Sequence, residues 1–593
     1  MKINRKQFGI AIGVSLGLML VTFVVARAAP ATQAPEAKVD LATAAIIGIL
    51  YYFSWSPWFA NLGFTVLYRP LIAGTLVGLV MGRLGEGIAI GANINVLYLG
   101  WIAAGSSLPG DPGLAGYLGT ALALSGGLGA QGALAVAGPL GLLGSLTFSL
   151  RMSVCSAIAH RADRYAEEGN IKGVARSNYI YSQPFQFVLY AVPVALAAYI
   201  GAPAVEGALN WIGQNAGWVL GGLFIASGML AALGIALNLK FLFRGGVWPY
   251  FFIGFMVTSL AGSINLLVMA IIGVSLAVIH VQFTDKGSAP PAPAPALAAR
   301  TASGLLTRRD VFRAWLRWLF FSHSTYNWER QQGLGFAHAM TPIIEKLYKT
   351  KEDIRAGLKR HLVFFNTQPD IGGVVHGAVI AMEEERAAGA DINDDAINSV
   401  KTGLMGPMAG IGDTIQQGMV IPIVYAIGMG LATGGAIGTA TTGNILGPLF
   451  VVVTVAAFTW GVGWLAWWQG YRQGRAAVTN ILQGGTLSRV IAGAGVLGNF
   501  IMGALAVNFV KLTTPLAFTI GGTTIKIQDI LNSFMPNLLP LALVLIIWWL
   551  LARRNLSPTW IMAAVILIGV LGAIPFLPGL DAEGKIIWVG LLE

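Results

Sequence analysis

The sequence predicts an all-α polytopic membrane protein. Hydrophobic residues make up 55% of the 593 positions and charged residues only 11%, whereas soluble domains carry about 25% charged residues. Several uncharged stretches are long enough to cross ~30 Å of hydrocarbon as helices. The clearest of these stretches are residues 41–60, 115–150, 248–279, 446–468 and 536–552. Shorter, marginal stretches raise the expected number of membrane spans to roughly a dozen or more.

The amino-terminal part of the chain, residues 1–40, has the pattern of a membrane anchor. Lys2, Arg5 and Lys6 precede an uncharged run at 8–25, and an alanine- and proline-rich piece follows. Because basic flanks stay on the cytoplasmic side, this pattern predicts a signal-anchor-like helix with the Ala/Pro piece outside. A cleaved signal peptide is the alternative.

A second alanine- and proline-rich tract divides the rest of the chain. It reads APPAPAPALAA at 289–299, which is typical of a semi-rigid, extended linker. We therefore expect two helical membrane halves, 41–285 and 304–593, with a linker at 286–303. An inverted-repeat relation between the halves is a further expectation.

Charge predicts which parts of the chain lie in the cytoplasm. The net charge of +11 favours basic cytoplasmic loops over a nucleic-acid partner, because no basic–aromatic nucleic-acid module accompanies it. The charge-rich segment 285–400 is expected in the cytoplasm, and so is a basic loop at 151–176. Two cytoplasmic segments then enclose 180–284, which predicts an even number of spans between them.

The cytoplasmic segment of the second half opens with a predicted amphipathic helix at 305–321. One face carries Arg309, Arg313 and Arg317, and the other carries Phe312, Trp315, Leu316 and Leu319. Two interpretations are open: a helix lying on the inner membrane surface, or a helix packed against its own domain.

Several familiar catalytic and cofactor motifs are absent or do not fit. The G-x-G-x-x-G string at 127–132 has no strand before it and no acid at the required distance, so we do not expect a dinucleotide site. No phosphate-loop motif occurs, and the six histidines show no metal-ligand spacing. Cys155 is interpreted as structural. The sequence therefore predicts no metal, no cofactor and no catalytic residue.

The informative polar residues lie within Gly- and Pro-broken apolar runs. They are Asn93, Asn95 and Asp111 in the first half, and Asn366, Thr367, Gln368, Asp413, Gln416 and Gln417 in the second. Such groups are costly in lipid and usually face a protein cavity. Amides and carboxylates also suit sugar hydroxyls, since amides donate and accept hydrogen bonds and a carboxylate accepts from two donors. Polar caps on helix-breaking loops are the alternative.

Longer strings carry a specific resemblance. YNWERQQGLGFAHAMTPIIEKLY, RHLVFFNTQPDIGGVVHGAVIAMEEERAAGADI and VKTGLMGPMAGIGDTIQQG follow one another in the second half. They resemble the D component of mannose–fructose–sorbose permeases of the bacterial phosphotransferase system. RPLIAGTLVGLVMG, GANINVLYLGWI and PGDPGLAGYLGTALA in the first half resemble the C component of the same permeases. The chain thus resembles a fused C–D permease, and the amino-terminal anchor lies outside the resemblance.

The resemblance implies a multi-pass protein of the bacterial cytoplasmic (inner) membrane that imports a hexose or amino sugar. A phosphohistidine on a separate B component would phosphorylate the sugar, and an A component would recharge B. The other implied partners are membrane lipid and further copies of the chain, as a trimer. The residues expected to contact the sugar are Asn95, Asp111, Asn366, Gln368, Asp413 and Gln417.

Departures from the family pattern bear on the sugar. Mannose-type C components carry a glutamate where this chain has Asn95, and mannose-type D components have an aromatic residue and later an arginine where TIQQGMVIP follows Asp413. The pattern looks more like the sorbose or amino-sugar side of the family than the mannose side. The alternative functions are an ion-coupled secondary sugar transporter and a membrane scaffold without transport.

Overall fold

The computed structural model describes residues 39–592, with gaps at 101–109, 128, 216, 244–245, 262–265, 285–303, 475–484, 521–522, 557, 576, 581–585 and 590. The expected anchor and the linker at 286–303 lie almost entirely outside the described residues. The rest is largely helical, as the sequence predicts.

The described first half consists of ten α-helices. They are α1 (Leu41–Trp55), α2 (Pro70–Val80), α3 (Leu84–Leu97), α4 (Pro112–Gly126), α5 (Gly129–Glu167), α6 (Ile171–Tyr179), α7 (Gln183–Asn215), α8 (Gly217–Leu242), α9 (Pro249–Ala261) and α10 (Leu266–Thr284). A 3₁₀ turn, Pro57–Phe59, and a π-helical turn, Gly63–Leu67, separate α1 from α2.

The described second half consists of eleven α-helices and two short antiparallel hairpins. The helices are α11 (Arg308–Phe321), α12 (Gly333–Leu347), α13 (Lys351–His361), α14 (Gly373–Ala387), α15 (Asp394–Ile415), α16 (Ile421–Thr433), α17 (Leu446–Gln473), α18 (Gly485–Phe509), α19 (Ile527–Phe534), α20 (Leu538–Ala552) and α21 (Pro558–Gly572). The hairpins pair β1 (Ala517–Ile520) with β2 (Thr523–Lys526) and β3 (Leu577–Leu580) with β4 (Ile586–Val589). A second π-helical turn, Gln416–Val420, joins α15 to α16.

Within the described residues, only some of the expected spans are single helices long enough to cross a membrane. Among the described residues, Ile171–Gly201, Asp394–Thr433 and Leu446–Gln473 are long and apolar enough to cross a membrane. The pair α19 and α20, bent by 75°, would make a fourth span. Shorter apolar helices account for much of the remaining hydrophobic sequence. The number of spans and the inverted-repeat relation therefore stay predictions.

Two sequence-based boundaries are wrong. The basic segment 151–176 is not a loop: it continues α5 and then forms α6. The uncharged stretch 115–150 breaks after Gly126, because Gly127 adopts a left-handed conformation with φ 65°. Charge and hydropathy along the sequence therefore do not locate the ends of these helices.

Glycine permits close packing of α2 on α3. A Cβ added to Gly74 would lie 2.6 Å from the Cα of Gly91, and one added to Gly87 would lie 2.5 Å from the Cα of Gly78. Real Cβ atoms do not approach this closely, so larger residues would push the two helices apart. Small residues at helix contacts are the usual means of packing apolar helices in lipid.

The amphipathic helix α11 packs against its own half. It begins at a capping box, in which the Thr307 and Asp310 side chains each bond to the other's backbone N–H. Val311, Trp315 and Trp318 are buried in a core that also contains residues of α12, α14 and α17. Arg309 and Arg313 are exposed, whereas Arg317 is half-buried and donates to the Thr341 hydroxyl of α12. Of the two interpretations left open by the sequence, packing on the domain accounts for the apolar face.

The two halves interlock instead of forming separate bodies. The larger core combines first-half helices with α16, α17 and α20. The second core takes Ala162, Ala166 and Val174 from the first half. Helices from distant parts of the chain therefore meet.

Candidate functional site

A cavity lies between the two halves. Its volume is about 110 Å³, several times the ~10–15 Å³ that a single water needs. The first half contributes residues from the connection between α1 and α2, together with Phe148 and Arg151 of α5. The second half contributes the α11–α12 and α13–α14 connections and the junction of α15 with α16. Both halves are needed to enclose this space.

Irregular backbone forms much of the cavity wall. In the first half, Ala60 and Asn61 have φ values of 49° and 65°, and the π-helical turn Gly63–Leu67 follows. In the second half, the π-helical turn Gln416–Val420 follows α15 and contributes Gln416 and Gln417 to the cavity wall. π-Helical turns within helices are frequent at functional sites. Broken helices that line a cavity are also a common way of building substrate sites in transporters.

Asp413 and Gln417 form a polar pair on the cavity wall. The Gln417 Nε2 donates to the Asp413 Oδ1 at 2.8 Å. Asp413 is partly exposed and is the only acid among the described residues that line the cavity. It lies inside α15 and not at its start, so helix capping, the alternative role, does not explain it. A carboxylate held in this way can accept hydrogen bonds from ligand hydroxyls.

A buried network supports the neighbouring side chain, Gln416. The Gln368 Nε2 donates to the Gln416 Oε1 at 2.6 Å, and Gln416 Nε2 donates to the Asp370 carboxylate. The Asp370 carboxylate also accepts from the Asn61 Nδ2 of the first half at 3.3 Å. Gln416 borders the cavity, whereas Gln368 and Asp370 lie behind it. The network therefore holds a cavity residue in place and links the two halves.

Asn366 reaches the cavity from the α13–α14 connection. Its Oδ1 accepts a hydrogen bond from the Tyr326 hydroxyl at 3.0 Å. The adjacent backbone is fixed by Gln332, whose side-chain amide bonds to both the N–H and the C=O of Thr367 at 2.9 Å. Hydrogen bonds from the Gln332 side chain therefore fix the connection that places Asn366 at the cavity.

The opposite wall carries positive charge. Arg151 is buried, its NH2 donates to the His323 carbonyl at 2.6 Å, and its guanidinium lies 5.3 Å from the Trp55 ring centre. Desolvation of the imidazole, and then the nearby charge of Arg151, lower the pKa of His323 to about 3. The ring is therefore neutral near pH 7 and can donate one hydrogen bond and accept another. The cavity thus presents a cation, a neutral imidazole and a carboxylate.

The structure places the six sequence-predicted residues in three different settings. Asn366, Asp413 and Gln417 line the cavity. Gln368 is buried one layer behind it. Asn95 and Asp111 lie outside the cavity lining, within the helical core of the first half.

Asn95 and Asp111 have partners within the protein. The Asn95 Oδ1 accepts from the Leu71 N–H at 3.3 Å and so ties α3 to α2. Asp111 caps α4 by accepting from the Leu114 N–H at 2.7 Å, and it also accepts from the Tyr51 hydroxyl at 2.6 Å. Neighbouring Asn93 bonds to the Gly438 N–H of the second half. We assign these three residues to packing between helices.

Sequence reasoning missed several residues that line the cavity. Arg151 falls in a segment that the sequence predicts to be a loop, and His323 and Tyr326 lie between helices without a recognisable motif. Gln416 stands beside Gln417 in the sequence but is not among the residues predicted to contact the sugar. No sequence signal identifies Arg151, because its position in the cavity depends on α5 continuing through the basic segment.

Comparisons with known proteins identify both halves. The family described as "PTS system sorbose-specific iic component" matches residues 41–279. The family described as "PTS system mannose/fructose/sorbose family IID component" matches residues 305–576.

Individual relatives agree with these matches. The "PTS system mannose-specific EIID component" of Escherichia coli (strain K12) is 39% identical over 284 residues, which cover 46% of this chain and 95% of that protein. The "PTS system sorbose-specific EIID component" of Klebsiella pneumoniae is 39% identical, covering 45% of this chain and 96% of its own. The "PTS system mannose-specific EIIC component" of E. coli K12 is 33% identical, covering 37% of this chain and 81% of its own. The chain therefore belongs to the mannose–fructose–sorbose family of phosphotransferase-system permeases, and it carries the C and D components in one polypeptide.

Proposed function

We propose that this permease imports a hexose or amino sugar across the bacterial inner membrane and that the cavity between its halves holds the sugar. One observation carries the proposal: residues of the C-like and D-like halves together enclose a space lined by Asn366, Asp413, Gln416 and Gln417. A site made by both components would explain why both are needed for one transport path.

The chemistry of the cavity suits a neutral polyol. The Asp413 carboxylate accepts hydrogen bonds from hydroxyl groups, and the amides of Asn366 and Gln417 can donate and accept. Trp55 and Phe64 provide apolar surface on the first-half side. Small-ligand sites typically combine such aromatic walls with a few well-placed polar groups.

We infer that partner proteins, and not this chain, phosphorylate the sugar. The relatives carry the names of C and D components of a phosphotransferase system, and no phosphate-loop motif occurs in this sequence. We therefore infer that a separate B component phosphorylates the sugar on the cytoplasmic side and that an A component recharges B. A trimer of this chain is part of the same proposal, as is its multi-pass arrangement.

Transport in reconstituted vesicles tests the proposal. Vesicles containing the full chain should accumulate sugar phosphate only when A, B, the two general phosphotransfer proteins and phosphoenolpyruvate are supplied. A panel of mannose, fructose, sorbose and N-acetylated amino sugars would identify the substrate. Accumulation of unmodified sugar on a proton or sodium gradient, abolished by an uncoupler, would contradict the proposal and favour an ion-coupled transporter.

A further inference from the structure

A row of tryptophans lies in the carboxyl-terminal half of α17. Trp460, Trp464 and Trp468 are spaced by four residues and therefore share one face of the helix. Only 22% of the residues in the most apolar stretch of α17 are buried inside the protein, so most of this stretch faces outward. Tryptophan is enriched at the membrane–water interface, where its ring meets the headgroup level. This end of α17 therefore has the composition of an interfacial zone.

Arg308 of α11 stacks on this row. Its guanidinium carbon lies 5.9 Å from the Trp464 ring centre and 5.4 Å from the Trp468 ring centre. Phe312, one turn further along α11, contacts Trp464 at 5.2 Å between ring centres. A shallow pocket on the protein surface is lined by Arg308, Arg309, Phe312 and Trp464. Arg308 is held in place by the rings while remaining exposed.

The arginines at this pocket form no ion pair among the described residues. Arg308, Arg309 and Arg313 are all exposed. The nearest acid in sequence, Asp310, bonds to the Thr307 N–H and hydroxyl in the capping box. The ion pairs of the described second half involve Glu329, Arg330, Lys359, Arg360, His361 and Arg386, and none of them includes Arg308, Arg309 or Arg313.

We propose that this pocket, formed by Arg308, Arg309, Phe312 and Trp464, binds the phosphate of an anionic phospholipid headgroup. The acyl chains would lie along the outward face of α17. Arginine suits this role because its planar donors match phosphate and stack on aromatic rings. A cluster of arginines beside an exposed apolar helix favours a lipid over a free phosphate, because the headgroup brings its phosphate to this level of the membrane.

The inference is independent of the sugar cavity, since these residues are on the outer face of α11 and α17. It also gives the exposed side chains of Arg308 and Arg309 a role that packing of the apolar face leaves unexplained. Anchoring α11 to the membrane surface would restrain the connection between α11 and α12, which supplies Ser322–Tyr326 to the cavity wall.

Lipid retention by the full chain in detergent tests the proposal. Native mass spectrometry should show the protein retaining phosphatidylglycerol more strongly than phosphatidylcholine. The double variant Arg308→Ala/Arg309→Ala should weaken phosphatidylglycerol retention by ~10- to 30-fold, because each basic residue near anionic lipid contributes about 1 kcal/mol. Arg308→Lys keeps the charge but loses the planar stack, and an intermediate loss is expected.

A matched control and three contrary outcomes make the test decisive. Arg355→Ala removes an exposed arginine of α13 and should leave lipid retention unchanged. Equal retention by the double variant, with its folded state confirmed by size-exclusion chromatography, would overturn the proposal. So would full competition by inorganic phosphate, which would indicate a free-phosphate site. Loss of B-component binding with unchanged lipid retention would instead identify the face as a protein-docking surface.

Discussion

Asp111 in the first half and Asp413 in the second are both lone carboxylates in apolar sequence, but their surroundings differ. Asp111 is fully buried and accepts hydrogen bonds from the Tyr51 hydroxyl and the Leu114 N–H. Asp413 is partly exposed to a cavity, where Gln417 donates to one of its oxygens. The Asp111 carboxylate is occupied by hydrogen bonds within the protein, whereas the Asp413 carboxylate remains accessible to a ligand.

The same contrast extends to the amides. Asn95 bonds to the α2 backbone, whereas Asn366 and Gln417 border the cavity. A polar residue in apolar sequence must find a partner, but that partner can be a neighbouring helix as readily as a substrate. Mutations of similar residues in the two halves, Asp111 with Asp413 and Asn95 with Gln417, can therefore separate effects on stability from effects on sugar binding.

Removing the carboxylate of Asp111 should have the largest effect, and that effect should be on stability. Asp111→Ala deletes a helix cap worth about 1 kcal/mol and leaves the buried Tyr51 hydroxyl without its acceptor, at a cost of about 1–3 kcal/mol. Thermal unfolding in detergent should show a lower midpoint, while the folded fraction binds sugar normally. Normal stability combined with lost sugar binding would make Asp111 a sugar ligand and remove the contrast between the halves.

Replacing Asp413 by Asn should reduce sugar binding instead. The change keeps the shape of the side chain but removes charge-assisted hydrogen bonds worth about 1.5–3 kcal/mol each. Loss of one such bond corresponds to a ~10- to 100-fold weaker affinity, measurable by calorimetry or by binding of labelled sugar. Wild-type affinity at normal folded yield would exclude Asp413 from the site.

A smaller effect is expected for the amides. Gln417→Ala should weaken sugar binding by ~2- to 10-fold, because a neutral hydrogen bond contributes about 0.5–1.5 kcal/mol. Asn95→Ala is the matched control in the first half and should leave affinity unchanged. The reverse result, with Asn95→Ala impaired and Gln417→Ala unaffected, would place the sugar against α3.

The smallest effect is expected from cutting the covalent link between the halves. Polar contacts already join them, including Gln186 Nε2 to the Ser324 carbonyl at 2.8 Å and the Arg330–Asp163 ion pair. A tether raises effective concentration without adding a contact. Co-expression of residues 1–288 and 300–593 should therefore restore much of the uptake. Complete loss of uptake, with both pieces stably present, would give the linker a structural role.

The sequence by itself determined the helical membrane character, the family and much of the local structure. The predicted amphipathic helix at 305–321 is confirmed as Arg308–Phe321, and the apolar stretch 446–468 is confirmed as a helix from Leu446 to Gln473. These features depend on local hydropathy, helical periodicity and short specific strings, all of which can be read along the chain.

Only the tertiary structure decided which polar residues face the cavity. Tyr425 bonds to the Thr65 carbonyl across 360 positions, and Asn61 bonds to Asp370 across 309. Composition does not encode such pairings, and local rules do not reveal that α5 continues through a basic segment to place Arg151 in the cavity wall. A buried polar side chain is satisfied by whichever neighbour packing brings to it, and packing between distant helices is a property of the whole fold. For that reason Asp111 and Asp413 look alike in the sequence, whereas in the folded protein Asp111 is buried and Asp413 borders the cavity.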